Sequence, residues 1–169
     1  VSPRPAMASD NTTIAVTFNE AVYNTNAGSG ALEASDFALS ISGRDGIEVG
    51  ATPSSISISG NVYTLGLNLS VTANGAETLT VVPSSSTAIY DATGNAASTT
   101  QSNNSISLND LAVPTVSGTT IASDNTTIAV TFNEAVYNTN AGSGALEASD
   151  FTLSISGGVA TVNACILYT

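Results

Sequence analysis

The stretch Thr12-Thr13-Ile14-Ala15-Val16-Thr17-Phe18 alternates apolar and small polar residues, and it returns unchanged as Thr126-Thr127-Ile128-Ala129-Val130-Thr131-Phe132. Period-two alternation places Ile14, Val16 and Phe18 on one face of a strand and the threonines on the other, the pattern of a half-buried β-strand. The recurrence extends well beyond this stretch. Residues 8–43 and 122–157 match at an offset of 114, with 35 identities in 36 positions and only Ala38 against Thr152 differing. An offset of this length is too long for a solenoid or propeller blade of about 20–50 residues; it suits one β-sandwich domain of about 100 residues plus a linker. The repeated unit is therefore read as a domain, with a first repeat over 1–112 and an incomplete second over 113–169.

Further alternating segments follow the first. Phe37, Leu39 and Ile41 share a face, then Ile56 and Ile58, then Tyr63, Leu65, Leu67 and Leu69 on a strand headed by Asn61, then Leu79 and Val81, then Ile106 and Leu108. A further edge strand is expected before Ser9, weakened by Pro3 and Pro5. The separators Ser9-Asp10-Asn11, Ser59-Gly60-Asn61, Ala73-Asn74-Gly75 and Asp91-Ala92-Thr93-Gly94-Asn95 carry turn chemistry, since Gly and Asn accept positive φ. No long helical period competes, although Ala31-Leu32-Glu33-Ala34 suits one helical turn. About seven antiparallel strands, each with one apolar face, predict an all-β, immunoglobulin-like sandwich. The disulfide and core tryptophan of antibody domains are missing: the chain has one cysteine, Cys165, and no tryptophan. After Pro114 only about four strands' worth of chain remains, and half a sandwich exposes apolar faces and unpaired edges. Residues 114–169 are thus expected to be poorly ordered, packed on the first repeat, or paired with another chain by strand exchange.

Composition narrows the chemistry. There are 2 basic and 13 acidic residues, no histidine, and a net charge of −11; Ser, Thr and Asn together make 63 of 169 residues. Imidazole, thiol-pair and lysine catalysis are nearly excluded. The negative charge disfavours nucleic acid and anionic membrane surfaces and favours cations. No apolar run is long enough to span a membrane. The start, Val1-Ser2-Pro3-Arg4-Pro5, is neither an initiator methionine nor a signal peptide, and the chain is expected to be a piece of something longer.

The run Thr12 to Tyr23, followed by Ser35-Asp36-Phe37, Ser59-Gly60-Asn61-Val62-Tyr63-Thr64-Leu65 and Asp91-Ala92-Thr93-Gly94-Asn95-Ala96, resembles bacterial Ig-like tandem repeats of very large secreted and cell-surface, adhesin-type proteins. The likeness covers roughly residues 8–110. It implies an extracellular stalk or adhesin segment, with neighbouring repeats of the same chain as partners and calcium-dependent modules often nearby.

Three functional readings follow. The first is a structural or adhesive spacer at the cell surface, stiffened by calcium if a hard cation finds its six to eight oxygens. Asp10, Asp110 and Glu134 are the candidate ligands, around the junction Leu108-Asn109-Asp110-Leu111-Ala112-Val113-Pro114; the competing reading is that these residues bond local backbone N–H groups. Asp91-Ala92-Thr93-Gly94-Asn95 begins like a calcium loop but lacks the twelfth-position glutamate, which favours an Asx turn. The second reading is a module binding polysaccharide or another surface ligand through the 19–36 and 84–102 loops, with Tyr23 and Tyr90 as a platform. The least favoured is an acid hydrolase using Glu20, Glu33, Asp36 or Asp91 in a pair, so the chain is read as a non-enzyme.

Overall fold

The computed structural model describes residues 4–43, 48–158 and 161; Pro3 and Cys165, singled out above, lie outside them, as does most of 159–169. The chain separates into two compact units, Val1–Ala112 and Val113–Thr169.

In the first unit, strands β1 (Arg4–Met7), β2 (Thr13–Thr17), β3 (Phe37–Ser42), β4 (Ile56–Ser59), β5 (Val62–Gly66), β6 (Thr78–Pro83) and β7 (Ser105–Ser107) form two antiparallel sheets. One is ordered β1-β2-β5-β4 and the other β3-β6-β7. The pairing register explains which residues go inward. Ile14 lies opposite Leu65 and Val16 opposite Tyr63 in the first sheet, while Leu39 lies opposite Val81 and Ile41 opposite Leu79 in the second. Opposed residues of an antiparallel pair project to the same side, so each sheet presents one apolar face. Ile14, Val16, Tyr63 and Leu65 from one sheet and Phe37, Leu39, Leu79 and Val81 from the other belong to a single buried core. Three rings close it: Phe18 and Tyr63 meet edge-on at 5.5 Å and 85°, and Phe37 lies 6.2 Å from Tyr63. Such pairs add about 0.5–1.5 kcal/mol beyond the area they bury.

Departures from the sequence reading have local causes. Strand β5 ends at Gly66 and does not run on to Leu69, because the carbonyl and N–H of Gly66 turn to Ser54 and Ser55. A Cβ on Gly66 would collide with the hydroxyls of both serines. Leu67 and Leu69 still pack on the core from irregular backbone. Pro5 sits in β1 opposite Val16, on an edge strand, where a missing N–H is tolerated. The single helical turn is a 3-10 turn over Ala34–Asp36, three residues later than Ala31, with the Glu33 N–H donating to the Asp36 carboxylate at 2.8 Å. No α-helix is found among the described residues.

The second unit contains β8 (Val116–Ile121) and β9 (Ile128–Phe132), paired antiparallel with a bulge between Val116 and Gly118. Its turns copy those of the first unit. Asn11 and Asn125 have φ of 55° and 59°, the carboxylates of Asp10 and Asp124 accept the same bonds from Thr12 and Thr126, and a 3-10 turn spans Ala148–Asp150. Burial is not copied. Ile14 is 0% exposed and its counterpart Ile128 is 39% exposed. The residues matching β3, Phe151–Ser156, form no strand, since among the described residues nothing stands where β6 stands in the first unit.

Full burial of an Ile side chain stabilises by about 1.5–3 kcal/mol relative to exposure, and a cavity adds to the cost of its loss. Ile14→Ala is therefore expected to lower the stability of the main urea transition by about 2–5 kcal/mol. Ile128→Ala, the same change in the same local sequence, should move that transition by under about 0.5 kcal/mol. Equal effects in urea melts followed by tyrosine fluorescence would contradict this account.

Candidate functional site

The chain leaves the first unit through a set of hydrogen bonds. Asn11, the residue with φ of 55°, is buried beside Asn109. The Asn11 Nδ2 donates to the Asn109 carbonyl at 2.8 Å, the Asn109 N–H donates to Asn11 Oδ1 at 2.9 Å, and Asn109 Nδ2 donates to Asn11 Oδ1 and to the Ala8 carbonyl, both at 2.9 Å. An asparagine suits this place twice over: its side chain stabilises the left-handed turn, and its amide has both donor and acceptor to pair with a backbone running past. Immediately downstream, the N–H groups of Leu111 and Ala112 both donate to the Ala73 carbonyl at 2.9 Å, and Asn74 bridges Asp110. The 73–77 turn that receives them is itself held by Glu77, whose fully buried carboxylate accepts the Asn74 N–H at 3.1 and 3.2 Å.

Sequence reading took Ala73-Asn74-Gly75 as a turn and passed over Glu77 and the Asn11–Asn109 clasp. A glutamate two residues beyond Gly75, just before an alternating strand, was the one available signal for the former. The clasp spans 98 positions and leaves no local trace.

At the opposite end of β2, the 19–36 and 84–102 loops meet. Tyr23 and Tyr90 exchange two backbone hydrogen bonds of 2.8 Å, which sets their side chains next to each other on one face; both are half-buried. Burial pushes the Tyr63 phenol above its usual range, and Tyr23 adds to the shift. The two loops approach so closely that Gly28 (φ 65°) lies against the backbone of Ala92, and Gly94 (φ 89°) against that of Asn26. Any side chain there would push the loops apart.

The Asp91 segment is a closed turn. Asp91 Oδ1 accepts the Thr93 N–H and hydroxyl at 2.8 Å and the Asn95 N–H at 2.9 Å, and Oδ2 accepts from Asn95 Nδ2 at 2.8 Å. These bonds, the Asn95 side chain first among them, hold the Asp91 carboxyl well below the usual carboxylate range. Of the other acids considered, Asp36 accepts the Glu33 N–H, and Glu20 and Glu33 are exposed.

The three residues expected around calcium fall as follows. Asp10 Oδ1 accepts the Thr12 N–H at 3.0 Å and its hydroxyl at 2.8 Å, which lowers the carboxyl's pKa. Asp110 Oδ1 accepts the Ala112 N–H at 3.2 Å. These two flank the Asn11–Asn109 clasp, whereas Glu134 belongs to the second unit, just past β9. Among the described residues, no three acidic, cysteine or histidine side chains converge as metal ligands.

No protein-family model matches the chain, and no curated protein matches it. The solved structure of the N-terminal part of the bacterial S-layer protein SbsC is similar over 78% of this chain, at 22% sequence identity and a TM-score of 0.43. The similarity takes in 31% of that structure, so this chain spans less than a third of its length.

The Asp91 turn carries a pH signature. A carboxyl depressed by folding contributes stability that is complete above the unfolded carboxylate pKa of about 3.9 and is lost as pH falls through the lower folded value. Asp91→Asn replaces the Oδ2 acceptor by an amide that faces the Asn95 amide, donor against donor. The variant is expected to melt at a lower temperature than the parent at pH 7, with the gap narrowing below about pH 4, where the unfolded parent takes up a proton that its folded Asp91 still excludes. A gap independent of pH from 7 to 2 would remove the charge from this explanation.

Proposed function

We propose that this chain is a structural segment of an extracellular or cell-surface protein, built of tandem Ig-like repeats, and that its first unit transmits tension along the array without enzymatic activity. The strand order supports the Ig-like reading. A four-stranded β1-β2-β5-β4 sheet against β3-β6-β7 has the four-plus-three arrangement of constant-type immunoglobulin domains.

The observation that carries the mechanical reading is the fixed exit. Strand β1 starts with Arg4 opposite Thr17 and ends beside Ala8, whose carbonyl accepts from Asn109. Entry and exit therefore lie at opposite ends of β1. Tension between them runs along β1 and loads its hydrogen bonds to β2 together, in shear, instead of opening them one after another. The clasp and the two bonds to Ala73 transmit that load to the sheet rather than to a loose linker.

Adhesion by a sugar or surface ligand is the second reading, favoured by the adjacent Tyr23 and Tyr90 on rigidly joined loops. Its test is a titration of the chain with soluble cell-wall polysaccharide, in which Tyr90→Ala should abolish any saturable response.

Pulling single molecules by their two ends tests the first. Unit 1 is expected to unfold in one resolved force peak, and Asn11→Ala or Asn109→Ala should lower that peak and speed amide exchange at Leu111 and Ala112. Extension without a peak would end the mechanical reading. In this account the clasp fixes the exit, while Asp10 and Asp110 turn oxygens to local N–H groups. The melting temperature is accordingly expected to be the same in calcium and in chelator; a rise with calcium would assign Asp10 and Asp110 to a cation.

A further inference from the structure

Asn74 is the one asparagine of the chain that precedes a glycine. Asparagine is among the thermolabile residues because the next main-chain nitrogen can attack its side-chain amide, and the residue that follows decides how freely. A valine after Asn61 and a leucine after Asn68 crowd that nitrogen, whereas Gly75 has no Cβ to do so. The fold adds to this. Gly75 is exposed, with φ of 80°, so water and base reach it. The Ala76 N–H donates to Asn74 Oδ1 at 3.2 Å, which polarises the side-chain carbonyl and leaves Cγ the more electrophilic.

We infer that Asn74-Gly75 is a site of self-modification, a one-way chemical switch that loosens the exit from the first unit as the chain ages. Gly75 gives up its amide proton to solvent base, its nitrogen bonds to Asn74 Cγ, and the Cγ–Nδ2 bond breaks; Nδ2 takes a proton from solvent and leaves as ammonia. Water then opens the cyclic imide. Cleavage between Cγ and the Gly75 nitrogen gives aspartate. Cleavage between that nitrogen and the main-chain carbonyl carbon of residue 74 gives isoaspartate, whose chain runs on through Cβ and Cγ. Water is the co-reactant consumed.

The surroundings of the turn make either product felt. The Asn74 N–H donates to both oxygens of the Glu77 carboxylate, which is fully buried. Each product places a second carboxylate on residue 74, and like charges sharing a site repel. Isoaspartate also lengthens the main chain by one carbon where space is tight: a Cβ added to Gly75 would lie 3.2 Å from Asp110 Cβ. Asp110 pairs with Asn74, and the Ala73 carbonyl accepts the Leu111 and Ala112 N–H groups. Displacing the 73–77 turn therefore weakens the bonds that hold residues 110–112. The tension-bearing role of unit 1 is independent of this inference, because a change of mass with time reads the one and a force peak reads the other.

The test incubates the full chain at mildly alkaline pH, then denatures it and cuts after glutamate. Cleavage at Glu48 and Glu77 yields residues 49–77, which contain Asn61, Asn68 and Asn74, so fragmentation in a mass spectrometer compares all three in one peptide. Conversion at Asn74 is expected to run at least about tenfold faster than at Asn61 or Asn68, a barrier lower by roughly 1.4 kcal/mol. Amide exchange at Leu111 and Ala112 should quicken in step with conversion, while exchange at Ile14 and Leu65 stays as in the fresh chain. Asn74→Ser keeps an oxygen for the Ala76 N–H but cannot cyclise, and its exchange at Leu111 and Ala112 should not change on incubation. Conversion at Asn74 no faster than at the exposed Asn68 would overturn the inference. So would unaltered exchange at Leu111 and Ala112 in the converted chain, or the same acceleration in the Asn74→Ser chain.

Discussion

The apolar face made by Ile14, Val16 and Phe18 cannot be left to water, and this requirement organises the molecule. In the first unit it is met by Leu65 and Tyr63 beside it in the same sheet and by Phe37, Leu39, Leu79 and Val81 from the sheet opposite. Every one of these partners comes from a strand distant in sequence, so the closure is non-local and its entropy cost is met only when both sheets are present. The second unit, with the same residues, shows what remains without those partners. The hairpin β8–β9 forms and the face stays partly exposed.

The two units together separate local from long-range causes. Turn geometry survives intact in the second unit: the left-handed Asn125, the Asp124 bonds to Thr126, the Thr139 hydroxyl to the Ser143 carbonyl, and the Glu147 N–H to Asp150. Each of these interactions spans four residues or fewer, and the local sequence suffices for it. Strand β3 has no such autonomy. Phe37–Ser42 is extended and paired because β6 lies beside it, and the nearly identical Phe151–Ser156 is not a strand. Gly142 keeps the φ of 65° that Gly28 needs to pass Ala92, although a Cβ at Gly142 would meet open space. The conformation is written in the turn, whereas the steric reason for glycine exists only where the opposing loop is present.

This division explains what was legible in the sequence. Alternation located β2, β3, β4, β6 and β7 within a residue or two, because period-two burial is a property of each strand by itself. The end of β5 was misplaced because Gly66 is dictated by Ser54 and Ser55 across the sheet edge, a contact that hydropathy does not register. At the candidate site the same rule holds. The Asp91 turn was readable from the spacing of Asp91, Thr93 and Asn95. The role of Asn11 was not, since its turn looks identical to that of Asn125 and differs only in having Asn109 beside it. Asp10 and Asp110, expected as calcium ligands, flank the clasp, and their oxygens are engaged by the neighbouring N–H groups that Asp characteristically finds.

An exposed strand edge with Ile121, Ile128 and Val116 at the surface is ordinarily a template for indiscriminate pairing. Charge works against that outcome here. Each chain carries 13 acidic residues against two basic ones, a net −11, so two chains approaching within a Debye length of about 8–10 Å repel over most of their surfaces. Repulsion of this kind acts between whole chains and scarcely at all on a short, uncharged strand. The residues 60–69, Gly-Asn-Val-Tyr-Thr-Leu-Gly-Leu-Asn-Leu, contain no ionisable group other than the tyrosine phenol. The composition of the body thus opposes edge-to-edge pairing of whole chains, whereas β5, which has to pair with β2 for the core to close, brings no charge into that closure.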